Sequence, residues 1–324
     1  MATINDVAER AGVSVTTVSR VLNNRGYISE KTRRKVYDTM AELNYQPNEI
    51  ARSLLRKQSN LIGLIVPNVS HPFFGELTDA IEYHAYRQGF KLLLCNSQLD
   101  PAKERDYIEM MKRHRVDGII MGSHTLEVEE YRNLNYPLVT VDRRIDSIPY
   151  VASDNYRGGE LAAELLIEKG CRKIAHFCGN LQLDMLSNDR TSAFEDKIRE
   201  QGIEFITLQT DMNVFDQREY ERLMAKLFGS HPDIDGVFAT SDIIASFVIK
   251  WCRKLEKRIP EDIRIIGYDD VNAASWVSPA ITTIKQPIEE MGRLAVELIR
   301  KQMDGEPYES ENVLPVELVE RATT

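Results

Sequence analysis

The stretch Thr3-Ile-Asn-Asp-Val-Ala-Glu-Arg-Ala-Gly-Val-Ser-Val-Thr-Thr-Val-Ser-Arg-Val-Leu-Asn23 decides how the rest of the chain is read. Ile4, Val7, Ala8 and Ala11 recur at i, i+3, i+4 and i+7, the spacing of one apolar helix face. Gly12 follows, the residue type that most readily takes a positive φ and turns the chain. Ser14 then offers a hydroxyl N-cap to a second helix, whose inward face is expected to be Val15, Val18 and Leu22. Two short helices joined by a glycine turn have the form of a helix-turn-helix. The outward residues are Thr16, Thr17, Ser19, Arg20 and Asn23, small donors and acceptors plus one Arg, suited to reading base edges in a major groove. A purely structural helical hairpin is the plainer alternative.

Working outward, Ser29 can cap a third helix that carries Lys31, Arg33, Arg34 and Lys35 along its early turns, with Val36, Met40 and Leu43 facing inward. Cations at a helix start oppose the helix dipole, so phosphate contact explains them better than helix stability does, though a solvated basic face is the simpler reading. Pro47 suits the first position of a short helix over about 48–56, with Ile50, Ala51 and Leu54 on its apolar edge. Such a helix is marginal alone.

Charge follows the same division. Residues 1–60 hold ten Lys/Arg and six Asp/Glu, a balance of +4, so the remainder of a chain of net −9 carries −13. A small basic head on an acidic body suits a protein that meets nucleic acid at one end. At 324 residues, 43% of them hydrophobic, two or three globular domains are expected. No run of eighteen apolar residues exists and no signal-peptide pattern opens the chain, so a cytoplasmic protein without membrane contact is expected. Cys95, Cys171, Cys178 and Cys252 are scattered with no CxxC, which favours buried thiols over disulfides or a metal site.

From residue 61 the pattern becomes strand–helix alternation. Leu61–Val66 is a continuous apolar run, as in a parallel strand buried on both faces, and similar runs recur at 91–95, 117–121 and 138–141. A second set spans 173–177, 205–208, 236–239 and 263–267, with helices expected near 73–89, 101–114, 156–169, 190–202, 216–228 and 242–255. Two such sets make two doubly wound parallel-sheet lobes. A late helix near 287–303 and one terminal strand over 313–319 are expected to return across them.

Three motifs carry a resemblance: the opening stretch, Tyr27-Ile-Ser-Glu-Lys-Thr-Arg-Arg-Lys-Val36, and Leu43-Asn-Tyr-Gln-Pro-Asn-Glu-Ile-Ala-Arg-Ser-Leu54. In order and spacing they resemble the headpiece of LacI/GalR-family repressors, and the lobes resemble the periplasmic-binding-protein-like core of that family. The resemblance implies a helix-turn-helix headpiece over 1–46, a hinge helix and linker over 47–59, and an effector-binding and dimerisation core over 60–324. Within the core it implies an N-lobe of about 60–154 plus 287–311 and a C-lobe of about 155–284 plus 312–324. It places DNA contacts on Thr3, Ser14, Val15, Thr16, Ser19, Arg20, Asn23 and Tyr45, and on Asn48, Ala51 and Leu54 of the hinge, where Leu54 takes the role of a minor-groove wedge.

Ligands of open α/β sheets bind beyond the carboxyl ends of strands. Candidates there are Phe73, beside Phe74, for stacking on a sugar face, and Asp142 as a hydroxyl acceptor. By resemblance Arg190, Ser241, Asp242 and Asp269 join them as effector-binding residues, with Ala193 where the family keeps Gly, and Trp276 on a loop near the cleft. Carboxylates set against one Arg reject multiply charged anions and accept neutral polyols; the plainer reading of each Asp is a loop or helix cap. The resemblance implies a homodimeric repressor of a carbohydrate-utilisation operon, partnered by double-stranded operator DNA and a small carbohydrate effector, without cofactor or metal. The stretches 96–107 and 153–155 incline the effector to sucrose, with ribose next. Because the chain ends in a strand-like tail with no leucine heptads, dimers are expected and tetramers are not. A sugar-binding protein without DNA-linked regulation and a repressor that needs a corepressor are the alternatives. No GxGxxG after a strand, P-loop, GxSxG or HExxH points to an enzyme.

Overall fold

The computed structural model describes residues 2–46, 58–123, 125–182, 185–210 and 217–324. Residues Met1–Ser59 and Asn60–Thr324 form two separate units. The expected hinge helix, with Asn48, Ala51 and Leu54, lies outside the described residues.

In the first unit, α1 (Ile4–Arg10), α2 (Val15–Leu22) and α3 (Glu30–Glu42) enclose a core of Val7, Ala8, Ala11, Val18, Val21 and Val36. Thr3 and Asp6 form a reciprocal capping box at α1, and Ser14 and Ser29 cap α2 and α3 by accepting from Thr17 N and Thr32 N. Gly12 takes the positive φ of +59° that the turn between α1 and α2 needs. The inward face of α2 differs from the sequence expectation. Val18 and Val21 are buried while Val15 is 40% exposed, because the core meets α2 along Val18 and Val21 and leaves Val15, in the first turn, at the flank of that face. In α3, Val36 and Thr39 are buried, and Met40 and Leu43 pack at the edge of the core.

The second unit holds two six-stranded sheets. The first runs β11-β5-β4-β3-β1-β2, with β1 Leu61–Val66, β2 Lys91–Asn96, β3 Gly118–Met121, β4 Leu138–Val141, β5 Tyr150–Ser153 and β11 Glu311–Leu314, all parallel. Helices α4 (Pro72–Arg87) and α12 (Ile288–Asp304) cover one face, and α5 (Pro101–Arg113) with α6 (Val128–Arg132) the other. The continuous apolar run of β1 follows from this double cover: Ile62, Leu64 and Val66 join the first face's core and Ile65 the second's.

The second sheet runs β12-β10-β9-β8-β6-β7, with β6 Lys173–Cys178, β7 Glu204–Gln209, β8 Gly236–Ala239, β9 Arg264–Asp269, β10 Thr282–Lys285 and β12 Glu317–Val319. Only β12 is antiparallel to its neighbour among these pairings. Helices α7 (Asn155–Glu168) and α8 (Asp189–Glu200) cover one face; α9 (Gln217–Ser230) and α10 (Asp242–Lys254) cover the other. The short helix α11 (Asn272–Trp276) follows β9.

Several parts of this depart from expectation, the short helices α6 and α11 among them, neither of which is among the expected helices. Strands β5 and β10 were not foreseen, since β5 (Tyr-Val-Ala-Ser) has no continuous aliphatic run and β10 opens with two buried threonines in place of one. The single terminal strand expected over 313–319 is two strands in two sheets, broken at Pro315, which has no N–H to donate to a ladder. The first sheet therefore keeps the chain to Leu314, three residues past the boundary at 311. The chain crosses between the sheets after Ser153, after Lys285 and after Leu314. The four cysteines are free and buried.

Candidate functional site

The headpiece presents one polar face. Val15, Thr16, Ser19, Arg20 and Asn23 follow the i, i+4, i+8 rows of α2, on the side away from buried Val18 and Val21. Thr16 and Arg20 are exposed, whereas Ser19 and Asn23 are half-buried, with Asn23 Nδ2 donating to Ser19 O at 2.9 Å. Ser14 and Thr3 are exposed but already serve as caps. Tyr45 packs against the headpiece core. On α3, Lys31, Arg34 and Lys35 are exposed, while Arg33 donates to Asn24 Oδ1 at 2.9 Å. A cluster of cations beside a helix of small polar groups is the division of labour that phosphate positioning and base reading require.

In the second unit, a cavity of about 270 Å³ lies between the two lobes. Its place follows from topology. β1 sends its chain to β2 on one side and pairs with β3 on the other, and β6 does the same with β7 and β8. The carboxyl ends of these strands are the two switch points of the sheets, and Pro67, Gly122, Gly179 and Thr240, just beyond them, all line the cavity.

The structure brings Phe73, Asp142, Arg190, Ser241 and Asp269 together around this cavity. Phe73 and Phe74 meet edge to face at 5.1 Å. Asp142 directly follows β4 and Asp269 ends β9, both with positive φ, 60° and 107°, and both line the cavity. Arg190 is 5% exposed. Its Nε and Nη2 donate to Asn155 Oδ1 at 2.9 and 2.5 Å, and its Nη1 donates to Thr240 O at 3.2 Å. The guanidinium lies 3.7 Å over the Tyr268 ring centroid, and Nη2 is 3.7 Å from Asp142 Oδ2. Ser241 caps α10 through Ile244 N.

Asp242 and Trp276 do not join the site. Asp242 is buried, but it accepts from Thr283 Oγ1 at 2.6 Å and from Val271 N at 3.0 Å, fastening α10 to β10 and to the loop after β9. Trp276 is 78% exposed and outside the lining. The sequence reading missed Gln286, which lines the cavity, donates to Asp269 Oδ1 at 2.7 Å and accepts from Ser153 Oγ at 2.7 Å. Its signal was its position just past a strand end, and that strand, β10, had not been seen. Leu99, Asn188, Thr210 and Tyr220 also line the cavity.

Burial raises the Asp142 carboxyl above the usual range, opposed by Arg190 and by the Asn155 hydrogen bond. Asp269 is pushed up to about 7, again by burial, against Arg190 and Gln286. Burial also lowers His71 at the rim to about 4, so it is neutral at physiological pH. The cavity thus offers two acceptors, a pinned planar donor and an aromatic pair, the equipment for a polyol with one apolar face. Among the described residues no group of three or more His, Cys, Asp or Glu is placed to hold a metal ion, and no helix is long and apolar enough to cross a membrane.

A helix-turn-helix head on a two-lobed core with an interlobe cavity defines a ligand-responsive DNA-binding regulator. Residues 3–48 match the bacterial regulatory proteins of the lacI family, and residues 163–324 match the periplasmic binding protein-like domain. The ribose operon repressor of Halalkalibacterium halodurans is 40% identical over 100% of this chain and 97% of its own length. The sucrose operon repressor of Pediococcus pentosaceus is 39% identical over 99% of this chain and 98% of its own. The lac repressor dimer bound to operator and the anti-inducer ONPF superposes with a TM-score of 0.87 at 27% identity, covering 99% of this chain and 98% of that one. The chain belongs to the LacI family of bacterial regulatory proteins.

Proposed function

We propose that this protein is a sequence-specific repressor of a carbohydrate-utilisation operon, released from its operator by a small neutral sugar. It acts as a cytoplasmic homodimer and carries out no catalysis. The observation that carries the reading is the pairing of two features in one chain: the exposed polar face of α2 beside cations on α3, and a cavity where Asp142, Asp269, Arg190 and the Phe73–Phe74 pair converge. The relatives' names support it, since they are repressors of sugar operons. The ribose-linked and sucrose-linked relatives stand level at 40% and 39%, so the effector is proposed at the level of a small neutral sugar, with the inclination to sucrose resting on residues 96–107 and 153–155 alone.

In this reading Thr16, Ser19, Arg20 and Asn23 face base edges, with Val15 as an apolar contact. Ser14, Thr3 and Tyr45 lie at the margins, and Asn48, Ala51 and Leu54 enter the minor groove. Phe73, Asp142, Arg190, Ser241 and Asp269 hold the sugar; Gln286 takes the place first given to Asp242. The headpiece, hinge and core divide near residues 46 and 59. A sugar that binds one lobe arrangement better shifts the equilibrium by that difference, typically about 1–3 kcal/mol of coupling.

The test is calorimetry against a panel of mono- and disaccharides including D-ribose and sucrose, paired with operator binding at saturating sugar. Binding of one sugar with loss of operator affinity is expected. Tighter operator binding in sugar would mean a corepressor, and no sugar binding at all would refute the effector reading.

A further inference from the structure

Asn155 does not line the cavity, yet two residues that do are both held by it. It is 3% exposed, opens α7 and stands at the first crossover between the lobes. Its amide is fully used. Nδ2 donates to Asp142 Oδ1 at 3.0 Å and to Ser153 O at 3.1 Å. Oδ1 accepts from Arg190 Nε and Nη2 and, at 3.4 Å, from the Tyr268 hydroxyl.

Asp142 belongs to the first lobe and Arg190 to the second. Their direct separation of 3.7 Å is longer than a hydrogen bond. The amide therefore does what neither side chain does directly: it gives the carboxylate a donor and the guanidinium an acceptor. Only Asn and Gln, a methylene longer, carry both functions on one planar amide. A carboxylate in its place would serve Arg190 and face Asp142 with like charge. An apolar isostere would leave both buried partners short of a bond, a costly state at such low exposure.

We infer that Asn155 is a positioning residue that joins Asp142 to Arg190 across the two lobes and sets both for the sugar. This deepens the sugar-binding reading above and rests on it for the identity of the ligand. The joint itself rests on the hydrogen bonds alone. It assigns the lobe crossover a part in the binding geometry, not only in connectivity.

The test exchanges amide and acid. In Asn155→Asp, two carboxylates face each other across about the 3.0 Å of the present hydrogen bond and must share a proton. The charged groups around that pair are Arg190, Asp189 and Asp269, with the Tyr268 hydroxyl neutral beside them. Protonation is then required for the fold as well as for binding, so the variant's deficit grows as pH rises and closes as pH falls. The melting temperature of the full-length protein without sugar is read at pH 5 and pH 8. The gap to wild type is expected to widen toward pH 8, and adding Asp142→Asn, which restores one amide and one acid, is expected to close it. Asn tolerates the left-handed backbone at position 142.

The second arm is calorimetry with D-ribose and with sucrose. The affinity of Asn155→Asp for the sugar that wild type binds should fall about tenfold at pH 8, one pKa unit's worth, and recover toward pH 5. A pH-independent gap, or a double variant no better than the single one, overturns the joint. If Asn155→Asp does not fold, the double variant decides alone: folding with a flat pH profile supports the joint and failure to fold overturns it. Wild type that binds neither sugar speaks against the sugar-binding reading, and the melting arm still decides the joint.

Discussion

Gly159 sets two opposed effects against each other, and their balance is readable in advance. It lies inside α7, where Ala would be favoured over Gly by about 1 kcal/mol on helix propensity. A Cβ built there would sit 2.2 Å from the carbonyl oxygen of Arg190, and 2.9 and 3.0 Å from that residue's carbonyl carbon and Cα. Ordinary contact begins at 3.4 Å, so the shortfall is 3.4 − 2.2 = 1.2 Å. The obstacle is backbone, so no rotamer change relieves it; α8 must move. Overpacking of this kind costs about 1–3 kcal/mol, and a rigid obstacle places the cost in the upper part of that range. Gly159→Ala is therefore expected to lose about 1–2 kcal/mol net, read as a lower urea midpoint with an unchanged m value. Because the residue displaced is Arg190, sugar affinity should fall with it. Gly229→Ala is the control: it lies in α9 with nothing within 4 Å of a new Cβ, and is expected to hold or gain stability. If Gly159→Ala matches or exceeds wild type as Gly229→Ala does, the close approach of α7 to α8 is wrong.

The other predictions concern the head and the acid cluster. Ser14→Ala removes the N-cap of α2 and should cost about 1 kcal/mol of headpiece stability, seen as faster amide exchange over Val15–Leu22; unchanged exchange refutes the cap. Arg20→Ala should cost about 1–3 kcal/mol at one operator position, whereas Lys35→Ala should weaken operator and random DNA alike and lower the salt slope by about one. Equal losses for both variants on both DNAs would remove Arg20 from base reading. Asp269 has its folded pKa raised to about 7 from 3.8, so the folded state binds more protons than the unfolded one between these values, and its destabilisation grows through that window and is full above it. Asp269→Asn should therefore gain melting temperature relative to wild type, little at pH 4 and most at pH 8, while losing sugar affinity; a gain that shrinks with rising pH contradicts the assignment.

How far the sequence could be read depended on whether a residue's partners were near it in the chain. The headpiece helices and β1 were legible because caps, glycine turn and apolar runs are local. Val15 was misread as core for the same reason: spacing shows that a face exists, and only the docking of α1 and α3 shows which side of α2 it is. The three aspartates make the point most sharply. Asp142, Asp242 and Asp269 all sit beside strand ends or helix starts, and nothing local distinguishes them. What separates them is long-range: Asp269 meets Gln286, Asp142 meets Asn155, and Asp242 meets Thr283. Thr283 and Gln286 lie on and just beyond β10, whose buried threonines concealed it as a strand. One unseen four-residue strand thus hid both the cavity residue that was missed and the reason Asp242 does not serve the cavity. Thr283→Val tests that dependence. It should leave Asp242 buried with one acceptor site unfilled and destabilise the core by about 1–3 kcal/mol. Sugar affinity should stay near wild type, because Thr283 and Asp242 hold α10 to β10 and neither lines the cavity. A variant that keeps its urea midpoint but loses sugar binding would return Asp242 to the site.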